Sequence, residues 1–487
     1  MAERTPSSPE EAAVKIQALH RGNSVRKQMS ASQDNSLEAD QSMESTEAPG
    51  AESTPSSPEE AAVKIQALHR GNSVRKQRSA SQNNSQEEVD VPLTGTAEDG
   101  DRLKASYLSA ATRLDVEPCT VLLDQLDKWI ATGEVMSFIE LKGNSEELFN
   151  TRLGDKELEA IIMALEASSN VYISALVLSW NRITDEGCNL LAEFLRTDER
   201  ISRLDLSFND IGEEGAKSLA AALSKNTTLR HLMMSGNKVG DTGGLAIAEV
   251  LCSNASLRTA ELSNMELGHK SLTMLGCALS MNQTLSVLSI DRPVLFSCQE
   301  ESIEHIAMGL RSNTALRSLS LRNAGVRDKG CFLLCDNLVM NQTLTELDLS
   351  SNRLTEDAGP SLGELLGRNE NISSLYLANN ELCDRGCTSL SSALSSNQSL
   401  TDLDVAYNKI DNDGLLQLAT AVHQHGNLTR LRAWGNLIKP QSTAALAYAC
   451  QQLKSLKNCD ILVQLIDDVP HAVRKVTPAS TYQPGLA

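Results

Sequence analysis

Apolar residues recur along this chain with one dominant spacing from about Met136 onward. A short segment with alternating leucines, such as Leu204 and Leu206, is followed by an Asn turn and then by apolar residues at helical spacing. This pattern predicts a short strand, a turn and an amphipathic helix in each unit. Because one such unit cannot bury its apolar face alone, we expect the units to stack on one another.

The turn asparagines define the period of the array. Met265, Pro293 and Ala324 take the Asn position in the middle repeats, where one step is 31 residues long. With a less regular copy near Thr151, the array has about eleven units. Most steps are 28 residues, as the positions of the seven asparagines show: Asn181, Asn209, Asn237, Asn352, Asn380, Asn408 and Asn436.

These units resemble the leucine-rich repeat family, and in particular its ribonuclease-inhibitor-like class, through the pattern LxxLxLxxNxIxDxG. The resemblance covers roughly Met136 to Leu453. We therefore expect an α/β solenoid, a horseshoe of about eleven 28-residue strand–helix units, with the strands on the concave side and the helices outside.

Composition divides the chain into further parts. Residues 1–100 are rich in Ser, Glu, Gln, Asn and Pro and contain no aromatic residue, so we expect a disordered tail with two short helices. Residues 101–135 predict a helical N-terminal cap. Residues 136–453 hold the repeats, and residues 454–487 are expected to form a C-terminal cap and tail.

One basic stretch occurs twice in the tail. The sequence TPSSPEEAAVKIQALHRGNSVRKQ begins at Thr5 and again at Thr54. Its IQALHRGNSVR part resembles the IQ motif, IQxxxRGxxxR, whose members bind calmodulin or related light chains; the two copies span residues 10–28 and 59–77. The resemblance implies calmodulin-binding roles for Ile16, Gln17, Leu19, Arg21, Gly22, Arg26, Ile65, Gln66, Leu68, Arg70, Gly71 and Arg75.

The residues of each copy also favour a helix on their own account. Ser8, followed by Pro9 and Glu11, forms a capping box with proline at the first helical position. Apolar residues fall on two sides of the helix, separated by Lys15 and Arg21. Two apolar stripes suit a helix held from both sides by an acidic, two-lobed partner, so we predict that calmodulin or a related EF-hand protein binds here. The alternative is a solvated basic helix.

Side chains that alternate with the inward leucines are expected to line the concave face. The aromatic members predict anchors for a protein partner. The acidic members, with Glu346 and Asp348 nearby, predict a basic partner, and ordinary solvated positions are the alternative. The candidate partner-binding residues are Trp180, Phe208, Tyr376, Asp402, Asp404, Tyr407, Arg432 and Trp434.

A second asparagine recurs at the end of each helix. Several copies, such as Asn226 and Asn341, form Asn-x-Ser/Thr and look like glycosylation acceptors. Asparagine also favours the left-handed conformation that ends a helix. We therefore predict a structural, left-handed capping role for this column rather than a sugar.

Charge and composition exclude several functions. A net charge of −19 argues against nucleic acid and anionic lipid as partners. The chain has no run of some 18 apolar residues and no secretory leader, so we expect a cytoplasmic protein, with the cilium or the nucleus as further compartments. The 11 cysteines are scattered, so we expect buried hydrophobic roles, with no metal, cofactor or small-molecule substrate.

The expected function is that of a non-enzymatic scaffold or adaptor. Its repeats would bind a protein partner of unknown identity while the IQ motifs bind calmodulin. The alternative is a GTPase activator, because one activator of nuclear-transport GTPases uses a similar array. No catalytic constellation supports that alternative.

Overall fold

The computed structural model describes residues 96–168, 173–295, 300–452, 456, 458–466 and 469–475. These residues belong to one compact unit, Ser85–Ala487. Both IQ segments lie outside the described residues. No helix within these ranges combines the length and the apolar character needed to cross a lipid bilayer.

Twelve short strands form one parallel sheet in which strand order follows chain order. Neighbouring strands pair in register, as Leu204 does with Leu232. The strands are β1 Phe138–Glu140, β2 Ala175–Val177, β3 Arg203–Asp205, β4 His231–Met233, β5 Thr259–Glu261, β6 Val287–Ser289, β7 Ser318–Ser320, β8 Glu346–Asp348, β9 Ser374–Tyr376, β10 Asp402–Asp404, β11 Arg430–Arg432 and β12 Asn458–Cys459. A separate antiparallel hairpin follows, formed by β13 Ile461–Ile466 and β14 Val469–Arg474.

Two helices precede the sheet, and one helix follows each of the strands β1 to β11 within the described residues. The first two are α1 Ala97–Leu114 and α2 Thr120–Thr132. The others are α3 Asp155–Ala167, α4 Asp185–Leu195, α5 Glu213–Leu223, α6 Gly240–Leu251, α7 His269–Met281, α8 Glu300–Ser312, α9 Asp328–Leu338, α10 Gly359–Arg368, α11 Cys383–Leu394, α12 Asn412–His425 and α13 Pro440–Gln452. A 3-10 turn, Glu356–Ala358, leads into α10.

The described residues therefore contain eleven strand–helix units, and the α/β solenoid is confirmed. The core lies between the sheet and the helices. Leu204 and Leu206, which the alternation places inward, are fully buried, as is Leu219 on the inner side of α5. Stacking is what buries them, because a three-residue strand and one helix cannot enclose an apolar face.

The turn asparagines connect each repeat to the one before it. Asn209 donates from Nδ2 to the carbonyl of Leu178 in the preceding repeat (3.0 Å) and to that of Leu206 in its own (2.9 Å). Its Oδ1 accepts from the amide of Ile183 (3.1 Å). The Asn side chain thus bonds to backbone groups of the adjacent coil. It satisfies backbone groups that the short strands leave unpaired.

The second asparagine column is structural, but the predicted left-handed conformation is wrong. Asn282 has φ −76° and ψ 128°, which is extended. The side chain of Asn341 is buried, and its Nδ2 donates to the carbonyls of Leu310 (2.7 Å) and Asn313 (3.0 Å) in the preceding repeat. The side-chain nitrogen of Asn341 is therefore buried and hydrogen-bonded, so it is not accessible for attachment of a sugar.

The aspartate and glycine of the signature also link neighbouring repeats. Asp185, the first residue of α4, accepts through Oδ1 from the amides of Gly212 (2.7 Å) and Gly215 (3.0 Å) at the start of α5. A Cβ on Gly215 would lie 2.6 Å from that same oxygen. Glycine therefore recurs at this position because the carboxylate of the previous repeat occupies the space of a side chain.

Candidate protein-interaction surface

The sheet has one face packed on the helices and one open face. In β3 the central Leu204 is fully buried, whereas Arg203 and Asp205 on either side are partly exposed. Since the strands pair in register, equivalent residues of successive repeats form straight columns about 4.8 Å apart. Asp404, for example, lies between Tyr376 and Arg432 in one such column.

The residue before each turn asparagine forms a ridge at the end of the strands. Three aromatic residues occupy it, with positive φ values of 64° for Trp180, 56° for Phe208 and 53° for Tyr407. Their exposed fractions are 38%, 40% and 46%. We name these three residues the aromatic ridge. Left-handed backbone is unfavourable for bulky side chains, so the turn holds the rings in strained but defined positions.

Packing between repeats orients these rings further. The rings of Trp180 and Phe208 stack with centroids 4.0 Å apart and an interplanar angle of 15°. The Phe208 ring lies over Gly236, where a Cβ would collide with it, and the Tyr407 ring lies over Gly435 in the same way. Phe208 and Tyr407 therefore rest on the glycine of the next repeat and Trp180 rests on Phe208, which limits the entropy lost when a partner binds.

A charged cluster occupies the open face at strands β9 to β11. Asp402 Oδ2 accepts from the Tyr376 hydroxyl (3.0 Å) and pairs with Arg430 Nε (2.8 Å). Arg432 Nη1 pairs with Asp404 Oδ2 (3.0 Å), and its guanidinium carbon lies 5.4 Å from the centroid of the Tyr376 ring. Burial raises the pKa of Asp402, while Arg432, Arg430 and the Tyr376 hydroxyl act in the opposite direction.

This cluster corrects part of the predicted site. Asp402 is fully buried and Tyr376 is nearly so, hence neither offers its polar group to a partner. Asp348, expected to add to an acidic surface, is also buried and accepts from the amide of Ser350 (2.7 Å). The expected acidic surface for a basic partner is therefore absent at Asp402 and Asp348, because both carboxylates are buried.

The remaining predicted residues lie beside the cluster. Trp434 is partly buried, and its amide donates to Asp460 Oδ2 (3.1 Å). Asp460, which the sequence analysis did not single out, also accepts from the amide of Ala433 (2.9 Å). Arg430, with 47% of its side chain exposed, is a further surface residue at this end. In the register of the sheet, Arg430 is the direct neighbour of Asp402.

The twelve predicted calmodulin-binding residues lie outside the described residues, so their placement stays a prediction. Among the described residues, no group of three or more His, Cys, Asp or Glu is arranged to hold a metal ion. Cys331 and Cys335 have sulfur atoms 3.9 Å apart, and both are buried on α9. Burial raises the pKa of the Cys188 thiol to about 12, in keeping with a core position.

Comparison with known proteins agrees with the repeat architecture. The family model Leucine Rich repeat matches residues 169–192, 201–220, 225–248, 341–359 and 396–419. Leucine-rich repeat-containing protein 34 of Mus musculus is 33% identical over 90 residues, which are 18% of this chain and 22% of that protein. The Homo sapiens protein of that name is 37% identical over 68 residues, 14% of this chain and 15% of its own length.

A more distant relative is the Protein Cep78 homolog of Drosophila melanogaster, 33% identical over 88 residues, 18% of this chain and 10% of that protein. The chain thus spans less than a quarter of the length of these curated relatives.

Two solved structures have similar chains. An internalin from Listeria monocytogenes is 16% identical, with a TM-score of 0.39 over 76% of this chain and 97% of that one. A chain from the yeast Rad7 and Elc1 complex is 16% identical, with a TM-score of 0.41 over 80% and 96%. The twelve-stranded parallel sheet and the five matched segments support the leucine-rich repeat class instead, and the chain is similar to leucine-rich repeat-containing protein 34 over the matched residues.

Proposed function

We propose that this protein is a non-enzymatic interaction scaffold of the ribonuclease-inhibitor-like repeat class, whose open sheet face binds a protein partner. One observation carries the proposal: the aromatic ridge presents three partly exposed rings on rigid turns. Aromatic side chains, Trp and Tyr above all, are enriched among the residues that contribute most to protein interfaces. Arg430 and Arg432, each partly exposed, add polar contacts at the same end as Tyr407.

Affinity capture with the full chain tests this proposal. The triple variant Trp180→Ala, Phe208→Ala and Tyr407→Ala should lose partners that the natural sequence retains. A matched control removes three exposed apolar side chains on the helical side, Met308, Phe332 and Met340. If all partners still bind the ridge variant, or if both variants lose the same partners, the result would contradict a binding role for the ridge.

We further propose that the two IQ segments bind calmodulin or a related EF-hand protein. Support comes from two complete motif matches and from the capping signals that favour a helix in each copy. Titration calorimetry of the full chain with calmodulin, with and without calcium, should give two sites. Substituting Ile16, Arg21, Ile65 and Arg70 with Ala should abolish both, while Leu37→Ala with Met43→Ala in the intervening segment should not. Absence of heat under both conditions would exclude the proposal.

A GTPase-activating role is the alternative function. Adding the full chain to a nuclear-transport GTPase should leave the rate of GTP hydrolysis unchanged under the scaffold proposal. Acceleration of GTP hydrolysis would replace the scaffold proposal.

We also propose a cytoplasmic location. Fluorescence microscopy of the tagged full chain tests it, and exclusive labelling of cilia or nuclei would assign one of those compartments instead.

A further inference from the structure

A group of basic side chains lies along the edge of the sheet where the strands begin. Arg203 and His231 are the first residues of β3 and β4. Arg230, Arg258 and Arg317 each come directly before a strand. We name these five residues the basic ladder. It occupies the opposite edge of the sheet from the aromatic ridge, which lies beyond the strand ends.

Backbone hydrogen bonds fix the spacing of the ladder. The amide of Arg258 donates to the carbonyl of Arg230 (2.7 Å), so these arginines are one strand apart, about 4.8 Å. The amide of Ser286 donates to Arg258, and that of Arg317 to Ser286, both at 2.8 Å. Arg317 therefore lies two strands beyond Arg258, at roughly 10 Å.

Among the described residues the array pairs little of the ladder's charge, although Arg203 lies close enough to Glu261 to oppose the rise of that carboxyl's pKa. Within the part of the chain that the structure describes, its four arginines form no ion pair with a carboxylate, whereas Arg430 pairs with Asp402. Arg230 and Arg317 are exposed, and Arg258 uses Nη1 to donate to the carbonyl of Thr284 (3.1 Å). Burial is the largest cause that lowers the pKa of His231. The nearby Arg203 and Arg230 lower it further, as expected for cations close together.

These features define the ligand that the ladder suits. Positive charges held on neighbouring strands repel one another, and a bound anion relieves that repulsion. Arginines separated by about 5 and 10 Å match carboxylates along an extended acidic segment, which they can bind bidentately. A short acidic segment fits this edge better than nucleic acid, because the chain carries −19 overall and repels a long polyanion more strongly than a short one.

We propose that the basic ladder binds an extended acidic segment of a protein partner, in which Asp and Glu residues follow one another closely. This contact rests on the proposed scaffold role and extends it to the edge of the sheet where the strands begin. It does not involve the aromatic ridge, so the two sites are independent of each other in their tests.

Fluorescence anisotropy with a labelled peptide of ten glutamates tests the proposal on the full chain. Arg230→Glu with Arg258→Glu should weaken binding about tenfold or more, and added salt should weaken binding to the natural sequence. The matched control, Lys156→Glu with Lys225→Glu, makes the same change in net charge at exposed positions outside the ladder and should retain binding. Circular dichroism confirms that each variant is folded.

Three outcomes would overturn the proposal. The natural sequence is expected to bind the glutamate peptide at low salt, so its failure to bind would exclude the site. Equal weakening in both charge variants would show that net charge alone governs binding. Tighter binding of a ten-nucleotide single strand than of the glutamate peptide would assign the ladder to nucleic acid. If the natural sequence does not bind the peptide but the aromatic ridge still captures its partner, the ladder proposal fails and the scaffold proposal stands.

Discussion

The hydroxyl of Tyr376 donates a 3.0 Å hydrogen bond to Oδ2 of Asp402 on the neighbouring strand. Both residues are buried, and the same oxygen is paired with Arg430 at 2.8 Å. The other oxygen, Oδ1, is buried without a hydrogen-bond partner among the described residues. When a buried carboxylate has few hydrogen-bond donors, the stability of the fold depends strongly on each donor. An unsatisfied carboxylate costs the full desolvation penalty.

Tyr376→Phe should therefore lower the free energy of unfolding by about 1 to 3 kcal/mol, because it removes one donor to a buried carboxylate. Urea denaturation followed by circular dichroism measures the change. Tyr407→Phe is the control, since Tyr407 is exposed and should shift stability by less than about 0.5 kcal/mol. Equal effects at the two tyrosines would show that the Tyr376 hydroxyl does not support Asp402.

Gly236→Ala should destabilise the array by about 1 to 3 kcal/mol, because its φ of 81° is strained for alanine and its Cβ would collide with the Phe208 ring. Combining it with Phe208→Ala should recover part of that loss, since the smaller side chain removes the collision but not the strain. A double-mutant cycle on unfolding free energies measures the recovery. Strictly additive effects would exclude contact between the ring and position 236.

Asn341→Ala should lower the free energy of unfolding by about 2 to 4 kcal/mol, because it leaves carbonyls of the preceding repeat and amides of its own repeat unpaired. Its neighbour Gln342 is exposed, so Gln342→Ala is the matched control and should be nearly neutral. Chemical denaturation distinguishes the two. A neutral Asn341→Ala would contradict the inter-repeat role of this column.

Stability should depend on pH through Glu261. Burial, with Asp205 and Asp291 nearby, raises the pKa of Glu261 from 4.5 to about 7, although Arg203 opposes the shift. Between these values the folded protein keeps a proton that the unfolded chain releases, so stability falls as the pH rises from 4.5 to about 7.

Glu261→Gln should consequently stabilise the protein at pH 8, by about 1 to 2 kcal/mol, and leave it nearly unchanged at pH 4.5. Thermal unfolding at the two pH values measures the difference. Glu266→Gln, at an exposed position in the following turn, is the control variant. A stabilisation of the same size at both pH values would indicate an effect other than ionisation.

Residue patterns predicted most of the fold because they depend on local geometry. Leu204 and Leu206 alternate as a strand requires, and Asn209 recurs at the turn that its side chain closes. The left-handed conformation predicted for Asn282 is wrong. That prediction used only the local backbone preference of asparagine, whereas the hydrogen-bond partners of the Asn282 side chain belong to the preceding repeat.

The candidate surface was predicted only in part. The positions of Trp180, Phe208 and Tyr407 at the strand ends follow from the repeat, and all three rings are partly exposed. Nothing within a single repeat shows that Phe208 stacks on Trp180 or that Asp402 is sealed beneath arginines. Those relationships join residues 26 or more positions apart in the chain.

By itself, the sequence determined the repeat period, the strand–helix order and the α/β class, since each rests on spacing within one unit. The tertiary structure decided which charges remain available to partners. Arg430 is paired with Asp402, while Arg230 and Arg258 meet no carboxylate among the described residues. The physical reason is that charges on the open face interact across neighbouring strands, at distances set by the register of the sheet rather than by separation along the chain.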